Sequence, residues 1–325
     1  MACLQLPNRG VRFGRVHIPR KFLRLHKAAN LAAYYPMRAI TAVVDWSAGK
    51  AGAEEREPDL EQPVSQLVTQ RQCESAVFDE WRAALHPLDR DMRYNRKLWE
   101  WVYILQVLAS KGMLREGMRG LGFGVGREPL AALMAKRGCS IVATDLPAAA
   151  DEVSNWTDSG QHAAQLADLN PETLCPPELF AQRVRFQPMD MRHLDPGLRG
   201  FDFLWSSCAL EHLGCLADGI EFIHRSLAAL CPGGLAVHTT EYNVGSNSFT
   251  MRSGGVVLYR RRDIEALADE LRRDGHTIEL NLHPGGGAID RYVDPPPYYR
   301  RKQHLKLIVG PFAATSLGLW IRKAG

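Results

Sequence analysis

Arg119-Gly120-Leu121-Gly122-Phe123-Gly124-Val125-Gly126-Arg127-Glu128 is the stretch on which the reading of the chain turns. An apolar-leaning run enters it from Met118, a helical pattern leaves it from Glu128 to Arg137, and a second apolar run, Cys139 to Thr144, ends in Asp145. Strand, glycine turn, helix, strand and acid, in that order, is how an α/β sheet holds a nucleotide-like ligand. Glycine adopts positive φ without strain and lets backbone approach a ligand closely. The helix N-terminus adds unpaired N–H groups and a partial positive charge. An acid at the end of the next strand accepts hydrogen bonds from a ribose diol. The glycines do not have dinucleotide spacing, which needs a third glycine three residues after the second. Counted from Gly122 and Gly124 that position is Arg127, and from Gly124 and Gly126 it is Pro129.

Working forward, strand and helix signals alternate. Residues 147–177 are polar and mixed, with Trp156 and one helix expected over 158–168. Val184 to Gln187 reads as a short strand that delivers Met189-Asp190-Met191 to a loop, and Phe201 to Cys208 as a buried strand followed by Ala209-Leu-Glu-His-Leu213. Apolar residues at 216, 220, 223, 227 and 230 predict a helix that Cys231-Pro-Gly-Gly234 stops. Leu235 to Thr240 predicts the next strand, ending at Glu241-Tyr242-Asn243. A charged amphipathic helix over 261–275 and strands over 276–282, 305–309 and 317–322 complete the chain. The alternation predicts an α/β fold with a doubly wound, mostly parallel, seven-stranded sheet. The last two strands lack a helix-length connection, so they are expected to form an antiparallel hairpin at one edge.

Working backward, Val64, Leu67 and Val68, then Val77, Phe78, Trp81 and Leu85, recur at helical spacing up to Pro87, and a second helix is expected from Asn95 to Lys111. This gives a helical lid over 61–115 ahead of the main domain at 116–325. Trp99, Trp101 and Tyr103 on the second helix are either core anchors or a cover for the ligand pocket. Residues 1–60 form a basic extension and linker: nine Lys or Arg stand against Asp45 alone within the first fifty residues. That stretch is either an amphipathic helix that meets a membrane or an acidic partner, or an extension packed on its own domain.

The net charge is +4. With +8 in residues 1–50, the other 275 residues sum to −4, so the body has no positive excess to follow a nucleic-acid backbone. No run of about 18 apolar residues occurs, which speaks against a membrane-spanning helix. The seven cysteines are scattered without a CxxC pair, as expected of free thiols in a reducing cytoplasm, with no metal site. A homodimer is compatible with the sequence.

In this order the motifs resemble those of class I S-adenosylmethionine-dependent methyltransferases in their small-molecule form, a Rossmann-like fold, over roughly residues 95–325. Gly122-Phe-Gly-Val-Gly126 is similar to the first motif of that family, and Leu230-Cys-Pro-Gly-Gly-Leu235 to its turn before strand five. The resemblance implies cofactor contacts from Gly122, Phe123, Gly124 and Gly126, a ribose contact from Asp145 with Leu146, and an adenine contact from Asp190 with Met191. Trp205-Ser-Ser-Cys-Ala-Leu-Glu-His-Leu213 is similar to the motif after strand four and implies a place for Ser207 beside the cofactor. The family often carries an acid where Gly120 stands, so the group that meets the methionine ammonium is missing there.

His212 and Glu241 lie where a group could take a proton from a methyl acceptor. Trp99, Tyr103, Tyr242, Asn243 and Tyr298 are the candidate acceptor walls, the last in the stiff loop Asp294-Pro-Pro-Pro-Tyr298-Tyr299-Arg300. The expected activity is methyl transfer from S-adenosylmethionine to a small-molecule O, N or S nucleophile. An NAD(P)-dependent oxidoreductase and a non-catalytic binding module on the same fold are the alternatives.

Overall fold

The computed structural model describes residues 56–85, 93–147, 162–296, 298 and 303–325. The basic extension up to residue 55, Pro87, Trp156, Tyr299 and Arg300 lie outside the described residues. In chain order the elements are β1 (Ser65–Leu67), α1 (Gln70–Cys73), α2 (Ala76–Ala84), α3 (Arg96–Ser110), β2 (Arg119–Phe123), α4 (Leu130–Lys136), β3 (Ser140–Asp145), α5 (Pro177–Arg183), β4 (Val184–Pro188), β5 (Phe201–Ser207), α6 (Leu216–Ser226), β6 (Leu230–Asn243), α7 (Arg261–Arg273), β7 (Leu280–Asn281), β8 (Lys306–Val309) and β9 (Phe312–Arg322).

The strands form one sheet in the order β4-β3-β2-β5-β6-β9-β1-β7, with β8 also paired to β9. β4 through β6 are parallel, whereas β9 runs antiparallel to β6, β1 and β8. Alternate residues face opposite layers, as the strand repeat of two requires. Phe203, Trp205 and Val237 face α2, α3, α4 and α5. Leu121, Phe123, Leu204 and Leu319 face α6 and α7.

Four expectations change. The sheet has nine strands rather than seven: β1 is not among the expected strands, and of the strand expected over 276–282 the two-residue β7 forms and pairs with β1. The first helix expected from Val64 begins instead as β1: Gln66 pairs with Gly318 and Asn281, and these long-range ladders override the helical spacing. Thr69 then caps α1 by accepting from the Gln72 N–H, and Ser75 caps α2 by accepting from Phe78 N–H. The terminal hairpin is present, but β9 lies inside the sheet between β6 and β1 rather than at its edge. Of the helix expected over 158–168, the described part holds only a 3-10 turn at Leu166–Leu169.

The segment expected as a lid shares its core with the main domain. β1 is a strand of the sheet, and α3 lies on it with nine buried residues. Trp99 stacks on Tyr103 with ring centroids 5.0 Å apart, the Trp99 indole donates to Gln72 Oε1 at 2.6 Å, and the Tyr103 hydroxyl donates to Val64 O at 2.8 Å. Both rings are fully buried. A Cβ on Gly318 would stand 2.3 Å from the Tyr103 ring, so that glycine makes room for the ring under α3. Trp99 and Tyr103 thus pack in the core, with the polar atom of each ring bonded there.

Candidate active site

The strand order reverses between β2 and β5, so the loops leaving their carboxyl ends open a crevice, the usual ligand position in an open α/β sheet. The glycine turn lines it. Gly124 and Gly126 have φ of 56° and 52°, the left-handed region that glycine adopts without strain. Gly122 has a different task. It lies within β2, and an added Cβ would stand 2.4 Å from the Trp205 ring. Phe123 is also core, edge-on to Phe222 with centroids 5.1 Å apart. The positive-φ glycines of the turn are thus 124 and 126, while Gly122 makes room for the Trp205 ring and Phe123 packs in the core.

Asp145 ends β3 at the same edge. Its Oδ1 accepts from Leu146 N–H at 2.9 Å, and its Oδ2 accepts from Gly126 at 3.1 Å and Ala163 at 3.2 Å. Burial raises its pKa, against the pull of those backbone donors. A carboxylate offers about four acceptor sites, so three are taken and one on Oδ1 is left for a ligand. The carbonyl of Leu146 is bonded to His162 Nε2 at 2.9 Å. Asp190 is held by its neighbour: Arg192 donates from its backbone at 2.8 Å and from Nη2 at 2.7 Å. Burial alone would raise the Asp190 pKa, but these bonds bring it below the ordinary value. An adenine contact from Asp190 requires Arg192 to let go. Met191 borders the turn, its sulfur 3.3 Å from where a Cβ on Gly124 would be.

The most unusual feature was not legible in the motifs. The start of α3 delivers Arg96, Lys97 and Glu100 to the carboxyl ends of β5 and β6 and the amino-terminal half of the antiparallel β9. Asn95 fixes that turn by accepting from Lys97 N–H at 2.8 Å. Arg96 Nη2 pairs with Glu241 Oε1 at 2.5 Å, and its Nη1 reaches Glu100 Oε1 at 3.2 Å and Ser316 Oγ at 3.3 Å. Lys97 Nζ bonds Glu128 Oε1 at 2.8 Å and Ser207 Oγ at 3.2 Å, with Glu100 Oε2 at 3.4 Å. Glu211 joins from beyond β5, where its Oε2 accepts from Thr240 Oγ1 at 3.0 Å. Two cations thus face four carboxylates, and Glu100, Glu211 and Glu241 are buried. Ionised side chains leave water only when paired, and removing one partner is costly.

Cys208 sits in the middle with φ of 47°, a strained value for a residue with a side chain. Its N–H donates to Thr239 Oγ1 at 3.1 Å and its thiol to Glu100 Oε1 at 3.1 Å, which holds the conformation. Burial, reinforced by Glu100 and Glu211, pushes the thiol pKa well up, so it stays a neutral donor. Ligand atoms of Cys208, Glu211 and Glu241 lie within 4.8 Å of one another, a spacing that suits a metal ion. The Arg96 guanidinium already occupies that ground, with Nη1 3.6 Å from Cys208 Sγ.

The two candidate proton acceptors differ. Glu241 is 5% exposed, and burial pushes its carboxyl up to about 7, with Arg96 opposing and Glu211 adding to the rise. Its Oε2 has no hydrogen-bond partner among the described residues. His212 Nδ1 is 2.7 Å from Gly255 O, so Nδ1 carries the proton and Nε2 is the acceptor nitrogen of the neutral ring, 4.0 Å from Glu211 Oε1. His238 is structural: its Nδ1 meets Ser206 Oγ at 2.8 Å, and burial lowers its pKa to about 3.

Of the other expected acceptor contacts, Asn243 is spent on its own loop. Its Oδ1 accepts from Gly245 at 2.9 Å and Ser246 at 3.0 Å, and its Nδ2 donates to Phe249 O at 3.0 Å. Tyr242 is buried in the α6–α7 layer. Tyr298 remains at the rim. Its ring is 5.5 Å from that of His304, its hydroxyl donates to Ile308 O, and burial with the Glu241 charge raises its pKa.

A family model described as a methyltransferase domain matches residues 92–303. No curated protein matches the chain. Among solved structures the chain is similar to magnesium protoporphyrin IX methyltransferase from Synechocystis PCC 6803 with bound SAH, at 14% identity, over 77% of this chain and 95% of that one, with a TM-score of 0.43. It is similar to the [4+2]-cyclase SpnF at 18% identity, over 68% of this chain and 80% of that one, with a TM-score of 0.43. It is also similar to an S-adenosylmethionine-dependent methyltransferase from Mesorhizobium loti at 17% identity, over 69% and 98%, with a TM-score of 0.39.

Proposed function

The chain belongs to the methyltransferase-domain family, and from that premise we propose that it transfers a methyl group from S-adenosylmethionine to an oxygen, nitrogen or sulfur atom of a small molecule. The observation that carries the reading is the buried charged cluster beside the glycine turn, at the crevice between β2 and β5. When bound, S-adenosylmethionine supplies an electrophilic methyl on a sulfonium. The residues present fit that ligand. Gly124 and Gly126 let backbone approach it, Asp145 keeps one acceptor site for a ribose hydroxyl, and Met191 offers an apolar side against the turn. The carboxylates in excess of Arg96 and Lys97 suit a ligand of net positive charge.

Glu241 takes the proton of an alcohol or ammonium acceptor, while Arg96 holds the carboxylate in place. His212, more exposed than Glu241, stands beside it as the other group able to do so. Alignment and exclusion of water supply the rest of the rate. A small acceptor suits the recessed position of Glu241 and the negative charge of the body outside residues 1–50. Among the described residues no helix is long and apolar enough to cross a membrane.

The experiment is incubation of the full chain with methyl-tritiated S-adenosylmethionine and a cell extract, followed by size separation. Tritium is expected in the small-molecule filtrate. Tritium confined to protein or nucleic acid would overturn the acceptor class.

A further inference from the structure

We propose that Lys97 and Glu128 together read the amino-acid end of the cofactor: Glu128 receives the methionine α-ammonium and Lys97 its α-carboxylate. The inference rests on S-adenosylmethionine being the ligand of this crevice and names how its charged end is held.

Position comes first. Glu128 is the second residue after Gly126, the last glycine of the turn, and Lys97 Nζ bridges it to Ser207 at the end of β5. The pair therefore spans the two sides of the crevice where the strand order reverses. Position 120 cannot supply the acid, because a Cβ there would stand 2.4 Å from the Phe203 ring.

Charge comes second. Lys97 is one cation between two carboxylates, Glu128 at 2.8 Å and the fully buried Glu100 at 3.4 Å. Glu100 is shared with Arg96, so the whole cluster sets two cations against the four carboxylates of Glu100, Glu128, Glu211 and Glu241 inside the protein, where an unbalanced charge is costly. Glu128 Oε2 and Glu100 Oε2 both lack a hydrogen-bond partner among the described residues. The Trp101 indole N–H lies near Glu128 and eases its charge, yet that N–H also lacks an aligned partner. An ammonium group brings the missing donors.

Exchange comes third. The Lys97–Glu128 bond is itself an ammonium on a carboxylate. A zwitterion entering between them replaces that one ion pair with two, Lys97 to ligand carboxylate and Glu128 to ligand ammonium. No protein charge is left unpaired at any stage, so desolvation opposes binding little. Glu100 keeps Lys97 in position while the pair opens.

The test compares two ligands by isothermal titration: S-adenosylhomocysteine, which has the amino-acid end, and 5′-methylthioadenosine, which lacks it. Glu128→Gln is expected to weaken S-adenosylhomocysteine about tenfold or more, the loss of a charged hydrogen bond, and to leave 5′-methylthioadenosine within about twofold. Lys97→Gln is expected to do the same, and thermal melts confirm that each variant is folded. Unchanged S-adenosylhomocysteine affinity in folded Glu128→Gln, or equal losses for both ligands, would overturn the proposal while the cofactor assignment stands. If the wild-type chain binds neither ligand, the assignment of S-adenosylmethionine falls and this inference with it.

Discussion

Arg96→Met is expected to cost about 3–5 kcal/mol of folding stability near neutral pH, the usual loss when one partner of a buried ion pair is removed. Arg96 holds Glu241 and Glu100 at once, and its side chain is 17% exposed, so solvent screens these pairs little. Met fills much of the same volume, which keeps the cavity contribution small. The loss comes from the carboxylates left behind. Without the guanidinium both take up protons more readily than in the wild type, because Arg96 lowers the pKa of each. In the unfolded chain a glutamate titrates near 4.5. Between that value and the raised value of the folded Glu241 carboxyl the variant's folded state binds a proton that its unfolded state does not. Its stability therefore falls as pH rises through that window, and the gap to wild type is widest above it. Urea unfolding at pH 5 and pH 8 measures both gaps. A gap below about 1 kcal/mol at pH 8, the scale of an exposed pair, or no dependence on pH, would show that the cluster is not held as described.

Glu241→Gln is expected to lower the methyl-transfer rate about a hundredfold for an acceptor that must lose a proton. The wild-type rate should rise with pH through one ionisation near 7, where burial puts the Glu241 carboxyl, because only the ionised form accepts a proton. That step should be absent in Glu241→Gln. His212→Ala is the companion variant. If Glu241 is the acceptor of the proton, His212→Ala keeps the step; if His212 is, the step goes with the histidine and survives in Glu241→Gln. A thioether acceptor has no proton to lose, and then both variants keep a flat profile. Initial rates at saturating substrate over pH 5–9 separate these outcomes, provided each variant melts as a folded protein.

The alternating strands and helices were legible because each core segment repeats apolar residues at its own period and is closed by glycine or proline. The motif order then carried the family. β1 was not legible: Val64, Leu67 and Val68 have helical spacing, and what makes 65–67 a strand is pairing with residues more than 200 positions away. The interior place of β9 was hidden for the same reason, since a hairpin's sequence does not say which side its partner occupies.

The charged cluster was missed for a different reason. Arg96, Lys97, Glu100 and Glu128 look like ordinary polar residues near helix starts, and the tertiary structure alone buries them together. One signal was present: Glu100 stands between Trp99 and Trp101, inside an otherwise apolar helix, and such an acid needs a buried partner. The burial of Trp99 and Tyr103 was not legible because an aromatic on a helix next to a ligand turn has the same sequence whether it faces the core or the pocket. Among the glycines the sequence treats 122, 124 and 126 alike, whereas only the last two have positive φ.

The cofactor is the central claim, and parallel calorimetric titrations of the full-length chain with S-adenosylhomocysteine and NADH test it most directly. Saturable one-to-one binding of S-adenosylhomocysteine in the micromolar range, about −8 kcal/mol, with no heat from NADH, is the expected result. A folded chain that binds NADH, or that binds no S-adenosylhomocysteine at millimolar concentration, would contradict it.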